Sequence, residues 1–159
     1  MTTLRIQLEN KEQFDKVERD ILILQPQKKY QKVVIAFHTN SGDCILEDDG
    51  VLGHLTYYQD EKQSLPYFTH NVTRLAMVLR AAFRVDVEVQ RTRLVYKKVG
   101  FWLDHVQNIG YFIELYATGL ENECDLIKET LLLLNLQNCL SVSKEPYYRF
   151  LRRKQITKE

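Results

Sequence analysis

Residues 85–119 have the sequence VDVEVQRTRLVYKKVGFWLDHVQNIGYFIELYATG, which is typical of three consecutive β-strands. The first strand is rich in β-branched residues that alternate with polar ones, and glycine-containing turns separate it from the two shorter strands. The three strands are predicted at 85–96, 101–104 and 111–116. Side chains two positions apart share one face of a strand. Arg91 and Arg93 are therefore predicted to be neighbours on one face.

Two adjacent arginines on an otherwise apolar strand face have two interpretations. The face is simply hydrated, or it lines a polar cavity that holds an anion, because guanidinium groups match the oxygen atoms of a phosphate. On the third strand, Phe112, Glu114 and Tyr116 share one face by the same rule. The residues alone leave both interpretations open.

The pattern Arg91-Thr92-Arg93, then Leu103-Asp104-His105-Val106, then Ile109-Gly110-Tyr111-Phe112-Ile113-Glu114 resembles the C-terminal signature of the CYTH superfamily. That superfamily contains class IV adenylyl cyclases, thiamine triphosphatases and other triphosphate tunnel enzymes. The remainder of the chain fits the superfamily only in outline. The resemblance implies an α+β fold, with an antiparallel eight-stranded barrel or tunnel, helices packed outside and charged residues pointing inward.

The rest of the sequence favours the same architecture. Hydrophobic periodicity and turn residues predict further strands at 2–8, 30–39, 44–47, 53–59 and 66–69 and helices at 11–24, 72–84 and 121–136. A capping box at Asn10 and Gln13 is predicted to begin the first helix. Hairpin turns between the strands imply antiparallel pairing, and seven or eight strands with interleaved polar residues suggest a barrel or a strongly curved sheet. We expect one domain over residues 1–151, with a short docking helix at 146–151 and a charged tail at 152–159.

Two helices carry specific predictions about burial. The second helix is predicted to bury a stripe formed by Leu75, Ala76, Val78, Leu79, Ala82 and Phe83. In the third helix, residues 131–134 are apolar on every side, which predicts that this helix is covered on more than one face.

Composition limits the class of protein. A chain of 159 residues with a net charge of +1 does not suit general nucleic-acid coating or binding to acidic membranes. No apolar run reaches the roughly 18–20 residues that a membrane span requires, and the first ten residues lack the apolar core of a signal peptide. The three cysteines have no metal-ligand spacing and are expected to be reduced thiols. We therefore expect a cytoplasmic protein.

The resemblance implies site residues as well as a fold. Superfamily members that process triphosphates hold a divalent metal with carboxylates and the phosphate chain with basic residues. Arg91 and Arg93 are thereby predicted to bind phosphate, and Asp104 and Glu114 to bind Mg²⁺ or Mn²⁺. The first strand of the superfamily carries Glu-x-Glu-x-Lys, but this chain has Thr-Leu-Arg-Ile-Gln at 3–7. The basic residues of the middle strands are missing too.

The N-terminal half of a triphosphate site is thus absent, and Arg5 stands where an acid is expected. Arg5 is predicted to repel a cation and to strengthen anion binding. Alternatively, the carboxylates of Asp104 and Glu114 pair with Arg91 and Arg93 and leave a neutral polar cavity without a ligand. No catalytic residue is predicted.

The remaining acidic residues and two histidines could have a role in the site or be surface residues. The acidic run at 47–49, followed by Gly50, could replace the missing carboxylates or form a solvated turn. His38 and His54 could transfer protons, but the sequence identifies no partner for either. The simpler interpretation of each is a residue on a strand surface.

Three functions follow from these observations. In the first, a CYTH-like domain with lost or weak catalysis binds a nucleotide or another polyphosphate anion in the barrel interior, or a protein partner. In the second, the chain is an active metal-dependent triphosphatase or nucleotidyl cyclase whose missing acids are supplied elsewhere. In the third, it is a non-catalytic subunit of a complex or a homodimer, anchored by the apolar residues 131–134.

Overall fold

The computed structural model describes residues 2–59, 62–64, 66–117, 122–142 and 147, without the side chains of Lys28 and Lys29. The described helices are α1 (Lys11–Ile23), α2 (Val72–Ala82) and α3 (Glu123–Leu133). The described strands are β1 (Thr2–Leu8), β2 (Lys28–His38), β3 (Asp43–Asp48), β4 (Gly53–Gln59), β5 (Lys62–Gln63), β6 (Tyr67–Thr69), β7 (Arg84–Tyr96), β8 (Val99–Val106), β9 (Gly110–Ala117) and β10 (Ser141–Val142). Apart from Tyr147, the predicted docking helix and the charged tail lie outside the described residues.

The chain forms two compact units. Unit 1 comprises residues 1–30 and 91–145, and unit 2 comprises residues 31–90 and 146–159. The strand order is β10-β1-β9-β8-β7 in unit 1 and β7-β2-β3-β4-β5 in unit 2, where β6 pairs with β4. Strands β2 and β7 contribute residues to both units.

The predicted α+β class with an antiparallel sheet is confirmed. Ten strands are present in the described residues rather than the eight expected. The difference arises because β5 and β10 have two residues each, too few to produce an alternating pattern. The described strand order is open at β10 and at β5, so closure into a barrel stays a prediction, as does the single domain.

The core of unit 1 lies on one face of β1, β8 and β9. Ile6 is opposite Ile113, which in turn is opposite Leu103, and all three are buried. Helix α1 covers this face with Val17 and Ile21. The two predicted capping residues, Asn10 and Gln13, begin α1. Asn10 accepts a hydrogen bond of 2.8 Å from the backbone of Gln13, and the Gln13 side chain accepts one of 2.7 Å from the backbone of Glu9.

The opposite face of the same strands is polar. The register places Arg5 opposite Glu114 and Glu114 opposite Trp102. These residues are one position away from the apolar set, so their side chains leave the other side of the sheet. The sheet of unit 1 therefore separates a helix-covered apolar face from a face that carries charged residues.

Unit 2 has a core of its own. Buried residues of β2 and β3, including Phe37, Cys44 and Leu46, pack against Val72 and Leu79 of α2. Burial raises the pKa of the Cys44 thiol. All three cysteines are free thiols in the structure.

The predicted buried stripe of α2 is wrong in its second half. Val78 is 57% exposed and Phe83 is 38% exposed, and Ala82 is exposed as well. The inner stripe instead runs through Val72, Leu75, Ala76 and Leu79, the spacing of one helix face. Phe83 has left the helix, because its backbone is extended at φ −134° and ψ 155°.

Helix α3 is covered on a single side in the described part of the chain. Leu134 is 3% exposed and packs into the unit 1 core, but Leu132 and Leu133 are 63% and 61% exposed. The prediction that this apolar run is covered on more than one face is therefore wrong. None of the described helices has the length and apolar character needed to cross a membrane.

Candidate functional site

The polar face of unit 1 brings together all five residues predicted to form the site. Arg5 lies on β1, Arg91 and Arg93 on β7, Asp104 on β8 and Glu114 on β9. We call these five residues, with Trp102 and Tyr116 between them, the polar cluster. The contacts within it assign a different environment to each arginine.

Arg91 and Asp104 form a bidentate ion pair. The Arg91 Nε lies 2.7 Å from Oδ1 of Asp104, and Nη2 lies 2.8 Å from Oδ2. Asp104 is completely buried, and the Arg91 side chain is 20% exposed. A buried carboxylate is very unfavourable unless it is paired and hydrogen-bonded, so the main effect of this contact is to make a buried Asp104 tolerable.

Arg5 and Glu114 form the second ion pair. Nε and Nη2 of Arg5 lie 3.2 Å and 3.1 Å from the same oxygen of Glu114, Oε2. Both side chains are largely buried, at 5% and 18% exposure. The predicted alternative in which the two carboxylates pair with Arg91 and Arg93 is therefore right for Arg91 and wrong for Arg93, because Arg5 takes its place.

Arg93 has a different set of neighbours. Its Nε donates a hydrogen bond of 2.7 Å to the hydroxyl of Tyr116. Its guanidinium carbon lies 5.1 Å from the ring centre of Trp102, 5.5 Å from that of Tyr116 and 6.0 Å from that of Tyr30. Arg93 makes no ion pair with any residue in the part of the chain that the structure describes.

Sequence reasoning placed Tyr116 on one face with Glu114 but did not predict that aromatic residues and a glycine support Arg93. The guanidinium of Arg91 also lies near Trp102, at 4.8 Å from the ring centre, so Arg91 and Arg93 contact one indole. Gly100 leaves room for Tyr116, because a Cβ atom at that position would lie 1.8 Å from its ring. Gly100 was predicted as part of a turn, which hid this role.

The polar cluster does not fit a divalent metal well. Mg²⁺ and similar hard cations need several oxygen ligands, but both carboxylates already accept hydrogen bonds from guanidinium groups. Three guanidinium groups surround two carboxylates, which leaves one excess positive charge. Among the described residues, Asp104 and Glu114 do not belong to any group of three possible metal ligands.

A second polar group lies in unit 2 and involves one of the histidines. Glu47 accepts a hydrogen bond of 2.9 Å from Nζ of Lys32, and its other oxygen lies 3.1 Å from Nδ1 of His54. The other ring nitrogen of His54 is 3.3 Å from the hydroxyl of Thr56. Burial raises the pKa of Glu47, but the contacts with Lys32 and His54 outweigh it and lower the pKa overall.

The sequence did not identify this partner of His54 because Glu47 and His54 face each other across β3 and β4. The other acidic residues of the run form the predicted turn. Asp48 accepts a hydrogen bond from the backbone of Gly50, which has a φ of 93°. Hydrogen bonds from the backbone of Leu52 and Val51 lower the pKa of Asp49.

Comparison with known proteins gives a clear answer for the fold. No family model and no curated protein matches the sequence. Eighteen solved chains match the structure. PH1819 of Pyrococcus horikoshii OT3 has a TM-score of 0.55 at 19% identity and covers 100% of both chains. PH1012 of the same organism has a TM-score of 0.56 at 15% identity, over 93% of this chain and 97% of its own.

A third solved structure also shares the fold. It is a candidate adenylate cyclase from Bacillus halodurans, with a TM-score of 0.54 at 16% identity, over 91% of this chain and 92% of its own. The chain has a CYTH-like fold. The CYTH-like fold predicted from three short motifs is thus confirmed, whereas closure into an eight-stranded barrel stays a prediction. At these identities the likeness establishes the fold alone.

Proposed function

We propose that this chain binds a triphosphate-type anion at the polar cluster and has lost metal-dependent catalysis or retains it only weakly. The observation that carries the proposal is the environment of Arg93. Its guanidinium shares the Trp102 ring with the paired Arg91, contacts a hydroxyl and aromatic rings, and has no carboxylate partner among the described residues. A phosphate would supply the missing negative charge.

The three arginines of the polar cluster would have different roles. Arg5 and Arg91 neutralise Glu114 and Asp104, and their positive charge still contributes to the field around the ligand. Arg93 would contact the phosphate itself. Tyr116 occupies its Nε, so the two Nη groups are the donors that a phosphate oxygen would engage. The contact with Trp102 holds the guanidinium plane against an indole, which limits its motion before a ligand binds.

The same charges argue against metal-dependent turnover. Phosphoryl transfer needs a cation that neutralises the developing charge, and the predicted metal ligands Asp104 and Glu114 are engaged by arginines. The proposed ligand is therefore bound without Mg²⁺ or Mn²⁺. The CYTH-like fold, together with a structural neighbour described as a candidate adenylate cyclase, makes ATP and tripolyphosphate the first anions to test.

The test uses the single tryptophan of the chain. Because Trp102 contacts Arg91 and Arg93, its fluorescence should change when an anion binds. Tripolyphosphate and ATP are titrated in EDTA, followed by fluorescence and by calorimetry, and the titrations are repeated with Mg²⁺ and with Mn²⁺. Arg93→Gln should remove the response. The matched control is Arg19→Gln, which removes an exposed arginine of α1 in the same unit.

Each result assigns a function. Binding in EDTA that needs Arg93 and is indifferent to Arg19 supports the proposal. Hydrolysis or cyclisation of ATP that depends on metal would establish the active enzyme instead. Absence of binding to either anion would favour the non-catalytic subunit or homodimer, for which the exposed Leu132 and Leu133 are the observed support.

A further inference from the structure

A separate group of possible metal ligands lies in unit 2, where β2 and β3 meet at their turn. His38 and Asp43 are the last opposed pair of that hairpin, and Asp86 lies on β7, next to β2 in the strand order. One ligand atom from each residue lies within 4.8 Å of the other two. No other group of three such residues occurs in the described ranges.

The distances are compatible with one small ion. Nδ1 of His38 lies 3.8 Å from Oδ2 of Asp86. Two ligands on a tetrahedral zinc ion, each about 2.1 Å from the metal, are about 3.4 Å apart. His38 and Asp86 are therefore already near the separation that a shared ion requires. Small side-chain rotations of His38 and Asp43 would bring all three ligand atoms into range of one ion.

The backbone that carries two of the three ligands is fixed. Thr39 closes the turn, because its backbone N–H and its hydroxyl donate to the carbonyl of Gly42 at 3.0 Å and 2.7 Å. The Gly42 N–H donates back to the Thr39 hydroxyl at 3.0 Å. A Cβ atom on Gly42 would lie 2.2 Å from the carbonyl oxygen of Tyr58. The turn is thus packed against β4, which keeps His38 and Asp43 opposed.

We propose that His38, Asp43 and Asp86 bind a divalent transition-metal ion, with Zn²⁺ as the best match. An imidazole with two carboxylates is a set of three protein ligands that leaves a fourth position for water, as in open zinc sites. The Asp86 side chain is 10% exposed, and the His38 side chain is 46% exposed, so the site has a fixed inner ligand and an outer side that solvent reaches.

Arg84 is a described residue that competes with the metal for Asp86. Its Nη2 lies 3.2 Å from Oδ1 of Asp86, whereas Oδ2 is the oxygen near His38. A metal bound through Oδ2 leaves the contact with Arg84 in place. The guanidinium charge lowers the affinity for a cation but does not block it, because Arg84 is 73% exposed and surrounded by water.

The test measures binding of ZnCl₂ to the full chain by calorimetry, and of Co²⁺ by its visible absorption, in a Cys124→Ser background because the exposed Cys124 thiol would also bind metal. His38→Gln and Asp43→Asn should each lower the affinity for Zn²⁺ by more than about tenfold. Loss of a residue that only supports a metal ligand already lowers metal affinity by about tenfold, and loss of a ligand should cost more. His70→Gln changes an exposed histidine of the same unit and should leave the affinity unchanged. The Co²⁺ spectrum should show nitrogen and oxygen ligands without thiolate charge transfer.

The outcomes are independent of the anion site. Saturable binding of one Zn²⁺ per chain that both variants weaken supports the proposal, and Arg93→Gln should not affect it. Two results would overturn the proposal: no saturable Zn²⁺ binding to the chain with its three ligands intact, or an affinity that His38→Gln and Asp43→Asn leave unaltered.

Discussion

At the residue scale, two arginines on the same strand face have different environments and therefore different expected roles. Arg91 and Arg93 are two positions apart on β7, and both contact Trp102. Arg91 forms a bidentate pair with a carboxylate that solvent does not reach, whereas Arg93 contacts a phenol hydroxyl. Arg91 is therefore expected to act mainly on stability, and Arg93 mainly on binding.

Arg91→Ala tests the structural half of this division. It removes the bidentate guanidinium from the buried Asp104 carboxylate, so the free energy of unfolding should fall by on the order of 3 kcal/mol. Urea denaturation measures the change. Adding Asp104→Asn should restore part of the loss, because a neutral amide is less costly to bury. Arg19→Ala should change the free energy of unfolding by less than about 0.5 kcal/mol. A loss as large as that of Arg91→Ala would contradict the structural role of Arg91.

The pKa of Glu47 predicts a pH dependence in unit 2. The pKa is lowered below its ordinary value of 4.5, so the stabilising contribution is present above that value and is lost as the pH falls through the folded-state pKa. Glu47→Gln should therefore lower the melting temperature at pH 7 and have a smaller effect at pH 3. Glu129→Gln, at an exposed position of α3, serves as the control. A deficit that stays the same at both pH values would refute the prediction.

At the element scale, the register between strands decides which side chains meet. Glu47 contacts His54 because β3 and β4 place them opposite each other. In helix α2, contact with the sheet decides which side chains are buried, because only the stripe from Val72 to Leu79 packs on the sheet. The neighbouring apolar positions of α2 are exposed even though the sequence makes them equally hydrophobic.

A pair of substitutions in α2 tests the position of the inner face. Leu79 is 7% exposed and Val78 is 57% exposed. Leu79→Ala should therefore lower the free energy of unfolding by about 2–5 kcal/mol, and Val78→Ala should change it by less than about 0.5 kcal/mol. Denaturant titration measures both values. Equal losses would mean that the outer face of α2 is also packed.

Gly100 tests how β8 and β9 support the polar cluster. In Gly100→Ala the new methyl group would overlap the Tyr116 ring, so Tyr116 must move and Arg93 must lose its hydrogen bond. We expect reduced stability and weaker binding of tripolyphosphate, measured by melting and by Trp102 fluorescence. Tyr116→Phe removes the hydroxyl but keeps the ring, so it should weaken binding with little loss of stability. Normal binding by Gly100→Ala would exclude this role.

At the scale of the whole molecule, anion binding should appear as stabilisation. Tripolyphosphate at roughly 100 times its Kd should raise the free energy of unfolding by about 2.7 kcal/mol if it binds only the folded chain. The shift should occur in EDTA and should shrink as salt is added, because ions screen exposed charges. Differential scanning calorimetry measures it, and Arg93→Gln is the control. A shift that appears only with Mg²⁺ would indicate that the anion binds as a metal complex.

The sequence alone determined the fold class, most element boundaries and the side of the sheet on which Arg91, Arg93, Asp104 and Glu114 lie. It could do so because strand alternation and helix periodicity are local properties of the chain.

Only the tertiary structure decided which partners those side chains have. The sequence could not predict that Arg5 takes Glu114, that His54 meets Glu47, or that Gly100 makes room for Tyr116, because each contact joins residues on different strands. Nor could it predict that Val78 and Leu132 are exposed, because burial depends on what packs against a helix and not on its own composition.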